Sequence, residues 1–306
     1  MNDFDHDYVA LLKRIFSGAA KSSVDRTGVG TISSFGESLD IDISGARLPV
    51  TTLRRISWMT AIKEMLWMIS GSTNIRDLLA EGVTIWTDWP LRDYIAASGE
   101  QITQEAFERR ILTDDEFASD WGDLGPIYGQ QWRNLTGRWP QLRRIDQLSE
   151  LIAQLRVQPH SRRHILSTWN PLDIDRMTLP PCHMTYQFYV ESDNTLSCFM
   201  HQRSCDVVLG LPFNLIGATV LTRIIAHHAG LSGTGRLLWR GGDVHIYNNQ
   251  RDAVQKMFDR YRAASQHVVT PRLRIDHADR FDRYGPDDFK LEGYSPLPAI
   301  KIPVAV

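Results

Sequence analysis

Residues 57 to 70, SWMTAIKEMLWMIS, limit the folds open to this chain more than any other stretch. Trp58, Ile62, Met65, Leu66 and Ile69 recur at helical spacing, while Ala61, Trp67 and Met68 fill the remaining faces. A helix apolar all round must be covered all round, so this segment belongs inside the molecule. Its exception is Glu64, which falls between Trp67 and Met68 on the helical wheel. An ionised carboxylate is costly to bury, so its pKa should be raised, as a general acid or base requires. A buried ion pair with Arg54 or Arg55 is the alternative.

The rest of the chain supplies partners for such a helix. DYVALLKRIF reads as an opening helix, and Gly28 and Gly30 mark a turn into an alternating strand, TISSFGESLDIDI. IDQLSELIAQLRV carries leucine or isoleucine at 148, 151, 152 and 155, an amphipathic stripe. Between 163 and 206 the pattern turns strand-like, in RHILSTWN, MTYQFYV and TLSCFMHQRS, with a turn expected at Asp193–Asn194. A second apolar helix, PFNLIGATVLTRIIAHHAG, ends at Gly230, a suitable C-cap. Residues 95–120 are more polar and read as a peripheral helical insertion. No repeat or Pro/Gly/Ser linker divides the sequence. The expectation is one α+β domain over 1–306, with helices packed on a mainly antiparallel or mixed sheet.

Charge and cysteine usage narrow the partners. The 34 basic and 36 acidic residues leave a net charge of −2, which suggests no nucleic acid or other polyanion partner. The three cysteines, Cys182, Cys198 and Cys205, are too few and too sparse for a disulfide scaffold. They point to a reducing, cytoplasmic setting. No Cys/His spacing resembles a zinc site, so no metal is expected. The N-terminus is unlike a signal peptide, and no apolar run is long enough to span a membrane.

Cys182 stands out among possible nucleophiles. In LPPCHMTYQFYV two prolines lock the backbone just before the thiol, at the entrance to a strand. The bland reading, a buried small hydrophobe, suits Cys198 better. A nucleophilic thiol needs a positive environment, and Arg203 and the pair Arg162–Arg163 are candidates. If MTYQFYV and LSCFMHQRS pair across the Asp193–Asn194 turn, Cys182 comes to lie near Arg203. In RSCDVVLGLPFN, Asn214 follows a Gly-Pro turn, and could either cap the next helix or read a base edge. His245 and Tyr247 are two apart in GGDVHIYNNQ, on one face if extended, which is also ordinary strand patterning.

Taken together and in order, DRTGVGT, LPVTTLRR, EMLWMISGSTN, GDLGPIYGQQWR, SRRHILSTWNP, LPPCH, QRSCDVVLGLPFN, GDVHIYNN, EGYSP and IKIPVAV resemble the thymidylate synthase family over almost the whole chain. The resemblance implies helices around a bent mixed sheet, with the sheet forming the interface of a homodimer whose sites share residues. It implies that Cys182 attacks C6 of deoxyuridine monophosphate (dUMP). Arg26, Arg203 and Ser204, with Arg162 and Arg163 from the partner subunit, would hold the phosphate, for which guanidinium forks are well shaped. Asn214 would read the uracil edge, helped by Gln202, and His245 and Tyr247 would bind the 3′-hydroxyl. Glu64, Tyr128 and Asn170 would serve proton transfer. Asp206, in a catalytic role as well, would join Ile85, Trp86, Leu209, Gly210, Phe213 and Ala305 on the cosubstrate 5,10-methylenetetrahydrofolate. Addition of the thiolate makes C5 an enolate, which splits one hard step into easier ones. The products would be thymidylate and dihydrofolate.

The sequence also departs from the family pattern. Leu53 stands where lysine is usual, with Arg55 as a possible substitute; Thr87 replaces an acid after Trp86; His201 replaces a tyrosine. LIGATV after Asn214, Gln250 in NNQ and the segment after 250 differ as well. Most of these lie on the folate side or away from the nucleotide. That keeps open a dUMP 5-hydroxymethylase, in which water captures the methylene. A more distant alternative is a non-catalytic RNA-binding or regulatory homologue.

Overall fold

A computed structural model describes residues 1–17, 28–138, 140–264 and 269–304. In chain order, α1 (Asp3–Ser17) and β1 (Thr31–Asp42) precede α2 (Trp58–Ser70) and α3 (Ile75–Ala80). Next come α4 (Asp88–Ser98), α5 (Gln104–Thr113), α6 (Asp115–Trp121) and α7 (Tyr128–Asn134). A short ribbon, β2 (Leu135–Arg138) and β3 (Leu142–Ile145), leads to α8 (Gln147–Val157) and β4 (Ile165–Ser167). Then follow β5 (His183–Val190), β6 (Thr195–Asp206), α9 (Gly210–Ala229) and β7 (Gly233–Tyr247). The last elements are α10 (Arg251–Ala263), β8 (Arg272–Ile275) and β9 (Phe289–Glu292).

Five strands form one mixed sheet in the order β1-β7-β6-β5-β4. Every neighbouring pair is antiparallel except β6 and β7, which run parallel and are joined by the long crossover helix α9. The β5–β6 hairpin turns at Asp193–Asn194, where Asn194 takes a left-handed φ of 64°. Its register brings the start of β5 beside the end of β6, pairing His183 with Gln202.

The apolar segment forms α2, and it lies in the interior. Ala61, Ile62, Met65, Trp67, Met68 and Ile69 are buried, packed between α9 and α7. Each such side chain contributes roughly 1.5–3 kcal/mol of burial energy for the larger ones. Close approach of α9 depends on Gly217, where a Cβ would fall 2.9 Å from Cε of Met65. The stripe of α8, Leu148, Leu151, Ile152 and Leu155, is likewise buried.

The polar region after α3 is three short helices around an aromatic hub. The Tyr94 ring lies 5.7, 5.1 and 5.0 Å from those of Phe107, Phe117 and Trp121. Thr87, the residue after Trp86, is buried and donates from Oγ1 to Glu108 of α5 at 2.8 Å. Leu53 is also buried, at 1 % exposure. Arg55 is exposed two residues on. Among the described residues no helix is long and apolar enough to cross a membrane.

Candidate active site

The two prolines before Cys182 are held from the neighbouring strand. Arg203 of β6 donates from Nε to the Pro181 carbonyl at 2.9 Å and from Nη2 to the Pro180 carbonyl at 2.7 Å. Its backbone N–H reaches the Cys182 carbonyl at 2.8 Å. Tyr128, at the start of α7, accepts the Cys182 N–H on its hydroxyl at 2.8 Å. The thiol is therefore carried on a segment fixed from both sides, and it stays half-buried. Cys198 and Cys205 are fully buried, and burial pushes the Cys198 thiol up to about 12 and that of Cys205 well above its ordinary value.

Cys182 lines a cavity of about 300 Å³. One wall comes from α2, the loop before α4 and the first turn of α4: Glu64, Ile85, Trp86 and Trp89. Trp86 donates from Nε1 to Oε1 of Glu64 at 2.8 Å. Burial raises the Glu64 carboxyl from 4.5 to about 7, and the indole N–H partly opposes that rise. The alternative ion pair is absent: Arg54 gives its Nη2 to the Val208 carbonyl at 2.6 Å, and Arg55 is exposed. The Tyr128 ring packs 6.1 Å from Trp86 and 4.3 Å from His183. Burial lifts the Tyr128 hydroxyl well above 10, so it is a neutral phenol.

The opposite wall is the end of β6 and the start of α9. Gln202, Arg203, Ser204, Asp206, Leu209, Gly210 and Asn214 all line the cavity. Asn214 sits inside the first turns of α9, which begins at Gly210, so it caps nothing. Its Oδ1 accepts from Nε2 of Gln202 at 2.9 Å. Asp206 holds the strand-to-helix turn, with Oδ1 accepting the N–H groups of Val208 and Leu209 at 2.9 Å. Its Oδ2 accepts from Gln250 at 2.7 Å, and the same amide reaches the Pro303 carbonyl at 3.3 Å. Gln250 is wholly buried. Val304, next to Pro303, also faces the cavity. His245 and Tyr247 lie on one face at the end of β7, ring centroids 5.0 Å apart, both lining the cavity. Asp243 accepts from or pairs with Nδ1 of His245 at 2.8 Å.

Other expected residues lie elsewhere. Arg162 and Arg163 are exposed in the loop before β4 and form no part of the lining. Asn170 is buried and not part of the lining, donating to Asp173 at 2.9 Å and to Gln131 at 3.2 Å. Phe213 is half-buried and also outside the lining. Arg26 and Ala305 fall outside the described residues. His201 stands mid-strand opposite Thr185 and Arg240, away from the cavity.

Trp89, Leu179, His183 and Val304 line the cavity without having been expected there. For His183 a signal existed, its place beside Cys182; burial lowers it to about 3, so the imidazole is neutral. Among the described residues no group of three or more His, Cys, Asp or Glu could hold a metal ion.

A family model described as thymidylate synthase matches residues 6–306. Curated relatives carry the same name. The thymidylate synthase of Cereibacter sphaeroides (strain ATCC 17023) is 49% identical over 284 residues, covering 92% of this chain and 93% of its own. That of Zymomonas mobilis is 46% identical over 303 residues, covering 99% of each chain. That of Sphingopyxis alaskensis is 45% identical over 316 aligned residues, covering 99% of this chain and 98% of its own. Identity at this level along nearly the full length of both partners carries the fold with it, and this chain is a member of the thymidylate synthase family.

Proposed function

We propose that this chain methylates dUMP at C5, with 5,10-methylenetetrahydrofolate as cosubstrate, giving thymidylate and dihydrofolate. The observation that carries the reading is one cavity lined by a half-buried thiol, a carboxyl with a pKa near 7, and the groups expected on a nucleotide. The Cys182 thiolate adds to C6 of the uracil, and the electron pair moves to C5 and O4 as an enolate. Asn214 meets the base edge, while His245 and Tyr247 take the 3′-hydroxyl. Arg203 and Ser204, with Arg26, bind the phosphate. Glu64 and Tyr128 move the protons that leave C5 and return to the base, and Asn170, outside the cavity lining, is assigned to the same step on the family resemblance alone. The apolar wall of Ile85, Trp86 and Leu209, with Gly210 and the Asp206 carboxylate, suits a flat pterin with a polar edge; Phe213 and Ala305 are assigned to the folate on the family resemblance alone. When bound, the folate supplies both the one-carbon unit and the hydride.

The whole chain acts as one catalytic domain, with residues 95–120 as a peripheral insertion. It works as a homodimer across the outer face of the sheet. That face leaves Ile165, Tyr189 and Phe199 exposed by 47, 61 and 39 %, an apolar surface that a partner would cover. Exposed Arg162 and Arg163 then reach the partner's site. Three cysteines with no disulfide between them fit a cytoplasmic enzyme.

The test is incubation with dUMP and methylenetetrahydrofolate, followed by mass analysis of both products. The expected result is a methyl gain with dihydrofolate. A hydroxymethyl gain with tetrahydrofolate overturns it.

A further inference from the structure

Three side chains link the core of the sheet to the cavity by hydrogen bonds that can run in one direction only. Nε1 of Trp239 in β7 donates to Oε1 of Gln202 at 2.9 Å. Nε2 of Gln202 donates to Oδ1 of Asn214, also at 2.9 Å. Indole has a donor and no acceptor, so chemistry alone decides how the two amides are turned. Gln202 must present oxygen to Trp239 and NH2 to Asn214, and Asn214 must present oxygen to Gln202. Trp239 and Gln202 are exposed by 0 and 2 %, so solvent offers neither a substitute partner. The indole itself has no room to move. Gly241, paired with Gln202 on the adjacent strand, lacks a Cβ that would fall 2.6 Å from Cζ2 and Cη2 of Trp239.

We propose that Trp239 is a specificity-determining positioning residue, which locks the amide of Asn214 in the orientation that accepts uracil and rejects cytosine. The proposal rests on the reading of Asn214 as the residue that meets the base. Uracil presents a donor at N3 and an acceptor at O4; cytosine presents an acceptor at N3 and a donor at N4. The two edges are reversed copies of one pattern, and a primary amide matches either after a half-turn about its last bond. Selectivity therefore needs something that prevents the half-turn. A flipped Asn214 would set its NH2 against the NH2 of Gln202. Relieving that contact by flipping Gln202 would set its NH2 against the indole N–H of Trp239. Each alternative leaves two buried donors facing each other, a repulsive element of the kind that specificity often requires.

Competition binding of dUMP and dCMP to the full-length protein tests the lock. In Trp239→Phe a smaller aromatic ring remains but the N–H is gone, and the preference for dUMP over dCMP should fall by about tenfold or more. Gln202→Met removes the middle link without a large change of volume, and should lower the same ratio. A merely structural role would weaken both nucleotides together and leave the ratio alone. An unchanged ratio in whichever of these variants folds, while Asn214→Asp shifts it, overturns the lock and keeps the base reading. An unchanged ratio in Asn214→Asp removes the base reading, and the lock with it.

Discussion

The indole N–H of Trp86 donates to the carboxyl of Glu64 across 2.8 Å, on a cavity wall where neither Arg54 nor Arg55 reaches that carboxyl. Burial leaves Glu64 with a pKa near 7 instead of 4.5. The folded protein thus holds the proton more tightly than the unfolded chain does. The associated stability is fully present below about pH 4.5 and lost as the pH rises through 7. Glu64→Gln cannot ionise, so the wild type should lose stability relative to it between pH 4 and 8, on the order of 3 kcal/mol. Urea unfolding at both pH values measures this; parallel pH dependences in the two proteins would sink it. The same substitution should remove a limb near pH 7 from the rate profile.

Cys182→Ser should reduce turnover by about a thousandfold or more, because an alcohol is far less ionised than a thiol near neutral pH. Intact-mass measurement should show a nucleotide adduct on the wild type and none on the variant. A wild-type rate in Cys182→Ser would remove covalent catalysis.

Gln250 joins three parts of the cavity wall: the Asp206 carboxylate, the Tyr247 backbone N–H at 3.3 Å and the Pro303 carbonyl. Gln250→Leu deprives a partly buried carboxylate of its side-chain partner and releases the C-terminal segment. The expected result is a rise of about tenfold in the folate KM, with dUMP affinity changed by about twofold at most. Equal loss for both substrates would mean that Gln250 supports the fold and not the folate side.

If sites are shared across a dimer, two inactive variants should rescue each other. Cys182→Ala and the double variant Arg162→Ala, Arg163→Ala are each expected to be inactive. After mixing, denaturing and refolding, half of the dimers carry one intact site, so about a quarter of wild-type activity should return. No recovery, with dimers verified by sedimentation, counts against arginine donation across the interface.

Much of the local structure was legible in the sequence because it depends on short-range periodicity. The all-apolar α2, the stripe at 148, 151, 152 and 155, the turn at Asp193–Asn194 and the end of α9 at Gly230 follow from neighbours within a few residues. The region near 95–120 read as merely polar. Its apolar residues, Tyr94, Phe107 and Phe117, are spread over three short helices and converge only when these fold together. The cap reading of Asn214 fell only when the start of α9 at Gly210 put it inside the helix.

The sequence alone determined the rigid setting of Cys182, because Pro180 and Pro181 restrict their own backbone wherever they lie. Tertiary structure decided what surrounds it. Glu64 belongs to Trp86 and not to an arginine, Arg203 grips the proline carbonyls, and Trp239 turns the amide of Asn214 through Gln202. These are contacts between residues 12 to 37 positions apart. Whether a carboxyl stays neutral or an amide faces one way depends on which donors come near it. That is a property of packing, and no local pattern records it.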